Sequence, residues 1–268
     1  MSWVRRAAIG FLGLLLGACL LSEFVAPAPY AHQFRDLPDA APSGQHLLGT
    51  DDLGRDRLSR LLYGTRVSLL LAPAAALLSS LLAALIGGIA GLAGGWAERC
   101  TMAATELFLS LPWLFLLITV RALLPLNVSP LTSVVITFAL LGSLGWATAA
   151  RVIRANTRLL CTSDFVLLAR ASGNGGFRLF WRHLLPNLKP VLAAQFFISI
   201  PVFILTEANL GILGLGVAEP LPSWGSLLRE LESFSALSAH SWQFIPLALL
   251  MVTVSCFHLA LQKQELSS

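Results

Sequence analysis

Six apolar runs, each long enough to cross a bilayer, constrain this chain more than any other feature. They are Ala7–Val25, Val67–Trp96, Met102–Leu124, Leu131–Ala150, Val191–Val217 and Trp242–Leu261. A helical crossing needs about 20 mainly apolar residues. Lipid offers the backbone no hydrogen-bond partners, so each run must be an α-helix that closes its own bonds. The expected fold is an all-α polytopic membrane protein with six transmembrane helices whose outer faces meet membrane lipid. Composition agrees, with 56% hydrophobic and 12% charged residues against about 25% charged in soluble domains.

The interruptions carry information. Val67–Trp96 exceeds one crossing and should tilt or overhang. Glu106 and Arg121 lie near opposite ends of the third run, where long side chains reach the interface. Pro125, Asn127 and Pro130 separate the third run from the fourth. Glu207 is the one carboxylate of the fifth run, and an ionisable group in a span marks either a transport path or an internal hydrogen-bonded pair. The chain therefore divides into residues 1–66, a first helix with a long loop, and residues 67–262, a core of five helices that includes a basic loop at 151–190. Arg5-Arg6 followed by Leu16-Gly17-Ala18-Cys19 has the look of a lipoprotein processing site. The apolar run continues to Val25, so Ala7–Val25 is read as the first span.

Lysine and arginine set orientation. Residues 151–190 hold seven bases against one acid, Asp164, whereas residues 35–66 balance five arginines with five aspartates. Placing Arg5, Arg6, Arg99, residues 151–190 and Lys263 on the cytoplasmic side puts both termini inside. Pro220, Pro222, Ser223 and Trp224 then form an outer turn with an interfacial tryptophan.

The basic loop is also aromatic. Ser163 or Asp164 can cap a short helix with Phe165, Leu168, Ala169 and Ser172 at i, i+3, i+4, i+7 spacing. Gly173-Asn174-Gly175-Gly176 ends it, with residues that tolerate positive φ. Phe177, Phe180, Trp181 and Leu184 stripe a second short helix, which Pro186 and Pro190 close. Such a loop either lies in lipid headgroups or docks a soluble partner.

Other chemistry is absent from the sequence. No dense basic run points to nucleic acid. The cysteines (Cys19, Cys100, Cys161, Cys256) lack the spacing of a disulfide or metal framework. The histidines (His32, His46, His183, His240, His258) are dispersed and assemble no metal cage. The acidic Gly49–Asp56 segment lacks calcium-loop spacing and is expected to pair its own charges. No cofactor is implied. There is no G-x-x-x-x-G-K-[ST] phosphate loop, so any nucleotide is bound by another chain.

Three blocks resemble the ABC-importer permeases. Ala169–Gly173, followed by His183-Leu184-Leu185-Pro186-Asn187, is similar to their coupling-loop signature. HLLGTDDLGRDRLSRLLYGTRVSLLLA (46–72) and TEANLGILGLGVAEPLPSWGSLL (206–228) resemble the dipeptide/oligopeptide/nickel branch. The resemblance implies an ABC type I importer permease fold forming half of a translocation pore. It further implies a second homologous permease subunit, cytoplasmic ATPase subunits, a periplasmic solute-binding protein, a bacterial inner-membrane location and no catalysis in this chain. It assigns Phe165, Leu168, Ala169, Arg170, Gly173, Phe177, Arg178, His183 and Pro186 to ATPase coupling and gives Glu207 a pore or packing role. The expected cargo is a peptide or nickel, with the Phe165-Val-Leu…Arg170-x-Ser-Gly wording leaning to nickel. Two features depart from the pattern. Leu167-Leu168-Ala169 stands where the family usually has Glu-Ala-Ala, and the polar C-terminal tail of many relatives is not seen before Ser268. A self-contained secondary transporter, the competing class, would show internal repeats, and an intramembrane enzyme would pair reactive groups within spans.

Overall fold

The computed structural model describes residues 3–125, 128–232 and 241–261; Asn127, His240 and Lys263 lie outside that set. Among the described residues every regular element is a helix, in the order α1 (Trp3–Leu20), α2 (Ser22–Val25), α3 (Arg57–Ala93), α4 (Gly95–Ser110), α5 (Trp113–Leu123), α6 (Pro130–Leu144) and α7 (Trp146–Cys161). α8 (Asp164–Ala171) and α9 (Gly176–Leu179) follow. A π-helical turn (Phe180–Leu184) leads into α10 (Leu185–Ile212), then come α11 (Trp224–Arg229) and α12 (Ile245–Leu261). The residues form two compact units. One comprises 1–72, 122–138 and 201–268, and the other 73–121 and 139–200.

Among the described residues five helices are long and apolar enough to cross a membrane, and the α4–α5 pair makes a sixth if it counts as one crossing. A contact in the first unit decides the count. Arg5 Nε, at the start of α1, donates to the Ala260 carbonyl at the end of α12 at 3.0 Å. The first helix thus begins on the side of the membrane where the last one ends, which requires an even number of crossings. The six expected spans are present.

Two differ in form from the expectation. The third is not one helix, because α4 and α5 meet at 86°. Pro112 forces the break: a residue before proline is driven out of the helical region, and Leu111 is extended at φ −76°, ψ 132°. The fifth begins far earlier than Val191. Pro186 and Pro190 close nothing, and the helix runs without a break from Gly176 to Ile212. At Pro186 the π turn supplies the reason. Leu185 N–H bonds back five residues to Phe180 O, and this widened turn relaxes the carbonyl crowding that a proline ring brings. α3 is also longer than expected. At 37 residues and 1.5 Å per residue it spans about 55 Å, well beyond the hydrocarbon core.

In the second unit, close helix approach positions the loop elements. A Cβ on Gly87 of α3 would lie 2.2 Å from the Ala150 carbonyl oxygen of α7, and one on Gly88 would lie 2.5 Å from the Phe180 ring. Small residues at helix contacts are the usual device for packing in lipid. Around them Ala83, Ala149, Ala150, Ile153 and Leu188 form one buried cluster, and Val166, Ala169, Leu179, Phe180 and Leu184 form another.

Candidate functional site

α8 carries only one acid, Asp164, and otherwise reads Phe-Val-Leu-Leu-Ala-Arg-Ala. Such a helix is apolar nearly all round, so it has two faces to cover. One is covered within the chain. Val166 and Ala169 are buried against Leu92, Leu160 and Leu184. The other is not: Phe165, Leu167 and Leu168 are exposed, Leu168 at 70%. Of the three apolar α8 residues expected to face a partner, Phe165 and Leu168 are open and Ala169 is not. Ala169 lies on the inward face, while Phe165 and Leu168 point away from the chain's own core. Ser163 takes the N-cap position with extended backbone but makes no side-chain cap bond.

The turn after α8 is closed by two backbone bonds, Gly173 N–H to Arg170 O at 2.9 Å and Asn174 N–H to Ala169 O at 3.2 Å. That closure places Gly173 at φ +80°, a left-handed backbone that favours glycine. Asn174 Nδ2 donates a second bond to Ala169 O at 2.9 Å. α9 then displays Phe177, 81% exposed, beside Trp181, with ring centroids 6.2 Å apart. Arg170, Arg178, Arg182 and Pro186 are exposed and His183 is half-buried. The assembly is a rigid apolar ridge rimmed by cations. Behind it, Glu98 of α4 accepts from Arg154 Nε at 2.5 Å and lies 3.6 Å from Arg158 Nη1, tying α4 to the α7 stem that carries α8.

The first unit holds the second concentration of charge. Arg60 is fully buried and ion-paired to Asp51 (3.4 Å), Glu219 (3.1 Å) and Glu230 (3.3 Å). Arg55 pairs with Asp51 (2.6 Å) and Glu219 (2.7 Å), and Arg57 with Glu230 (2.7 Å). His46 Nδ1 contacts Asp56 Oδ2 at 2.8 Å. Within the 49–56 segment Asp51 pairs with Arg55, as expected, while Asp51 also reaches Arg60 and Asp56 reaches His46 outside it. Sequence reasoning missed Glu219 and Glu230, which arrive from about 160 residues away. The two acids respond oppositely. Burial disfavours the Glu219 carboxylate, but the bonds and charges of Arg60 and Arg55 outweigh it and hold its carboxyl below the ordinary glutamate range. For the more enclosed Glu230, burial wins over Arg57 and Arg60 and pushes the carboxyl up.

Glu207 is fully buried in the first unit, and Ser68 Oγ donates to its Oε2 at 3.2 Å. The Ser223 side chain and Gly225 backbone flank the carboxylate, yet no donor reaches Oε1 with hydrogen-bond geometry among the described residues. Trp224 is not an interfacial tryptophan. It is fully buried, with Nε1–H donating to Thr65 Oγ1 at 2.8 Å, because α11 folds back onto α3. Arg121 likewise does not extend to the interface; it is buried in the last turn of α5. No group of three or more metal-ligating side chains occurs among the described residues.

The chain is similar in sequence to known proteins. Residues 83–264 match the family described as the inner membrane component of binding-protein-dependent transport systems. A Brucella suis protein assigned provisionally as a peptide permease is 36% identical over 245 residues, covering 90% of this chain and 79% of the relative. The glutathione transport system permease of Pectobacterium atrosepticum is 32% identical over 257 residues (96% and 83%). The dipeptide transport system permease of Bacillus subtilis is 30% identical over 256 residues (95% and 78%).

Proposed function

Because the chain belongs to the inner membrane components of binding-protein-dependent transport systems, we propose that it imports peptides through a pore shared with a second permease, and that α8 docks a cytoplasmic ATPase. As a member of the family the chain is the multi-pass permease subunit of such an importer.

The observation that carries the docking role is the second apolar face of α8. A helix outside the hydrophobic core of its own chain that leaves Phe165, Leu167 and Leu168 uncovered has its energy minimum with those side chains buried elsewhere. Roughly 1.5–3 kcal/mol accompanies the full burial of each large apolar side chain, a strong incentive for a partner with an apolar trough. Arg170, Arg178 and Arg182 around the ridge suit acidic residues at the rim of that trough. Gly173 fixes the turn between α8 and α9, so that movement of the partner passes into α7 at one end of α8 and into α10 at the other. A self-contained secondary transporter has no use for such a ridge. The same basic segment supports a cytoplasmic placement of α8 and, by the even number of crossings, of both termini. The membrane is then the bacterial inner membrane, and a solute-binding protein delivers cargo on the opposite side. Peptide is favoured over nickel because the relatives named above are peptide and glutathione permeases.

Purification of the chain from native membranes in mild detergent, with mass spectrometry of what accompanies it, tests this reading. Wild type should bring a second six-span permease and a protein containing the phosphate-loop motif. Leu168→Asp should lose the latter and keep the former. Retention of the ATPase by Leu168→Asp, or purification of the wild-type chain alone, would refute it.

A further inference from the structure

Beside the α8 ridge lies an open depression of about 420 Å³, walled by Ile89, Leu92 and Ala93 at the end of α3 and by Leu179 of α9, with Arg170 and Asn174 on its lip. Asn174 is committed to closing α8. Arg170 is exposed and joins no ion pair among the described residues. The hollow therefore combines an apolar floor with one unspent cation. Small-ligand sites of this size enclose most of the ligand and orient it with several polar groups; this one is open and offers a single charge. Its form suits a protruding side chain with a carboxylate close by.

We propose that the depression is a socket for the partner ATPase, taking an apolar side chain against Ile89, Leu92, Ala93 and Leu179 while an acidic residue of the same subunit reaches Arg170. The inference rests on the reading of α8 as the docking helix and adds a receptive half to it. Arg170 belongs to α8 and Leu179 to α9, the two helices that carry the ridge, so a partner seated on the ridge has the hollow at its edge. Contact is then reciprocal: the ridge of this chain enters the ATPase, and the ATPase enters this chain. Two-way engagement lets the partner pull the permease as well as push it, which a ridge in a trough alone does weakly. The unpaired guanidinium gives the socket its preference for an acidic protein surface.

The photocrosslinker p-benzoylphenylalanine at position 93, and separately at position 168, tests this in the assembled complex in native membranes. Mass spectrometry should identify the position-93 adduct as a peptide of a chain that also contains the phosphate-loop motif, with an Asp or Glu beside the crosslinked residue. Arg170→Glu should lower the yield of that adduct about fivefold, the scale of a charge pair at a surface, and Arg170→Lys should preserve most of it. An ATPase adduct at 168 with only phospholipid, the paired permease or nothing at 93 overturns the socket and leaves the docking role of α8 standing. No ATPase adduct at either position overturns both.

Discussion

Substitutions at Gly173 separate backbone strain from side-chain bulk. Gly173 sits at φ +80°, and a Cβ built on it would meet nothing within 4 Å. Bulk therefore has nothing to strike in this chain, and the cost of a side chain lies in the backbone. An L-residue in the left-handed region costs roughly 1–2 kcal/mol, which corresponds to a factor of about 5–30 in the population of the closed turn. Alanine and tryptophan should thus be about equally damaging, both reducing ATP-driven uptake of labelled peptide by about that factor. Asparagine, which tolerates the left-handed region better than most residues, should fall between them and glycine. Gly175→Ala is the control, because Gly175 has φ −69° and equally open surroundings; it should transport normally. Uptake is normalised to the amount of chain in the membrane. If Gly173→Ala matched wild type while Gly173→Trp abolished uptake, the turn would tolerate the strain and the damage would lie in a clash with a partner, contrary to this argument.

Arg60→Met should destabilise the detergent-solubilised protein by on the order of 3 kcal/mol, seen as a lower thermal midpoint. That is the low end for a broken buried ion pair, because the Glu219 side chain is 52% exposed and can rehydrate. Glu219 has a depressed carboxyl, so its contribution is present above the ordinary value of 4.5 and is lost as the pH falls through the lower folded-state value. Glu219→Gln should accordingly lower the midpoint at pH 7 and flatten its fall below about pH 4.5; an unchanged acid limb would contradict the assignment. Gly87→Ala places a methyl group 2.2 Å from the Ala150 carbonyl oxygen and should cost about 1–3 kcal/mol or more in the same assay, as overpacking does.

The spans were legible because charge in hydrocarbon is so costly that its absence marks them directly. Their shapes were less so. Pro112 breaks its helix and Pro186 does not, and the difference lies in the π turn before Pro186, which no propensity announces. The short helix α8 was legible from the capping residues before it and the glycine turn that ends it. Of its apolar residues Ala169 turned out to be buried while Phe165 and Leu168 are exposed, because Phe-Val-Leu-Leu-Ala offers an apolar stripe at almost any phase. The departure of Gly49–Asp56 from calcium-loop spacing pointed to internal pairing, which Arg55 and Asp51 make. Glu219 and Glu230, which complete the network, join it through tertiary folding alone. Trp224 looked interfacial from its proline-rich turn, but Thr65 gave its indole N–H a buried partner.

The most direct test of the central claim is an electron cryomicroscopy structure of the importer assembled with its ATPase subunits. The account predicts Phe165, Leu167 and Leu168 within about 4.5 Å of apolar side chains of the nucleotide-binding subunit, with α8 seated in its trough. A structure in which that face of α8 meets lipid or open solvent, while the ATPase binds another part of the chain, would contradict it.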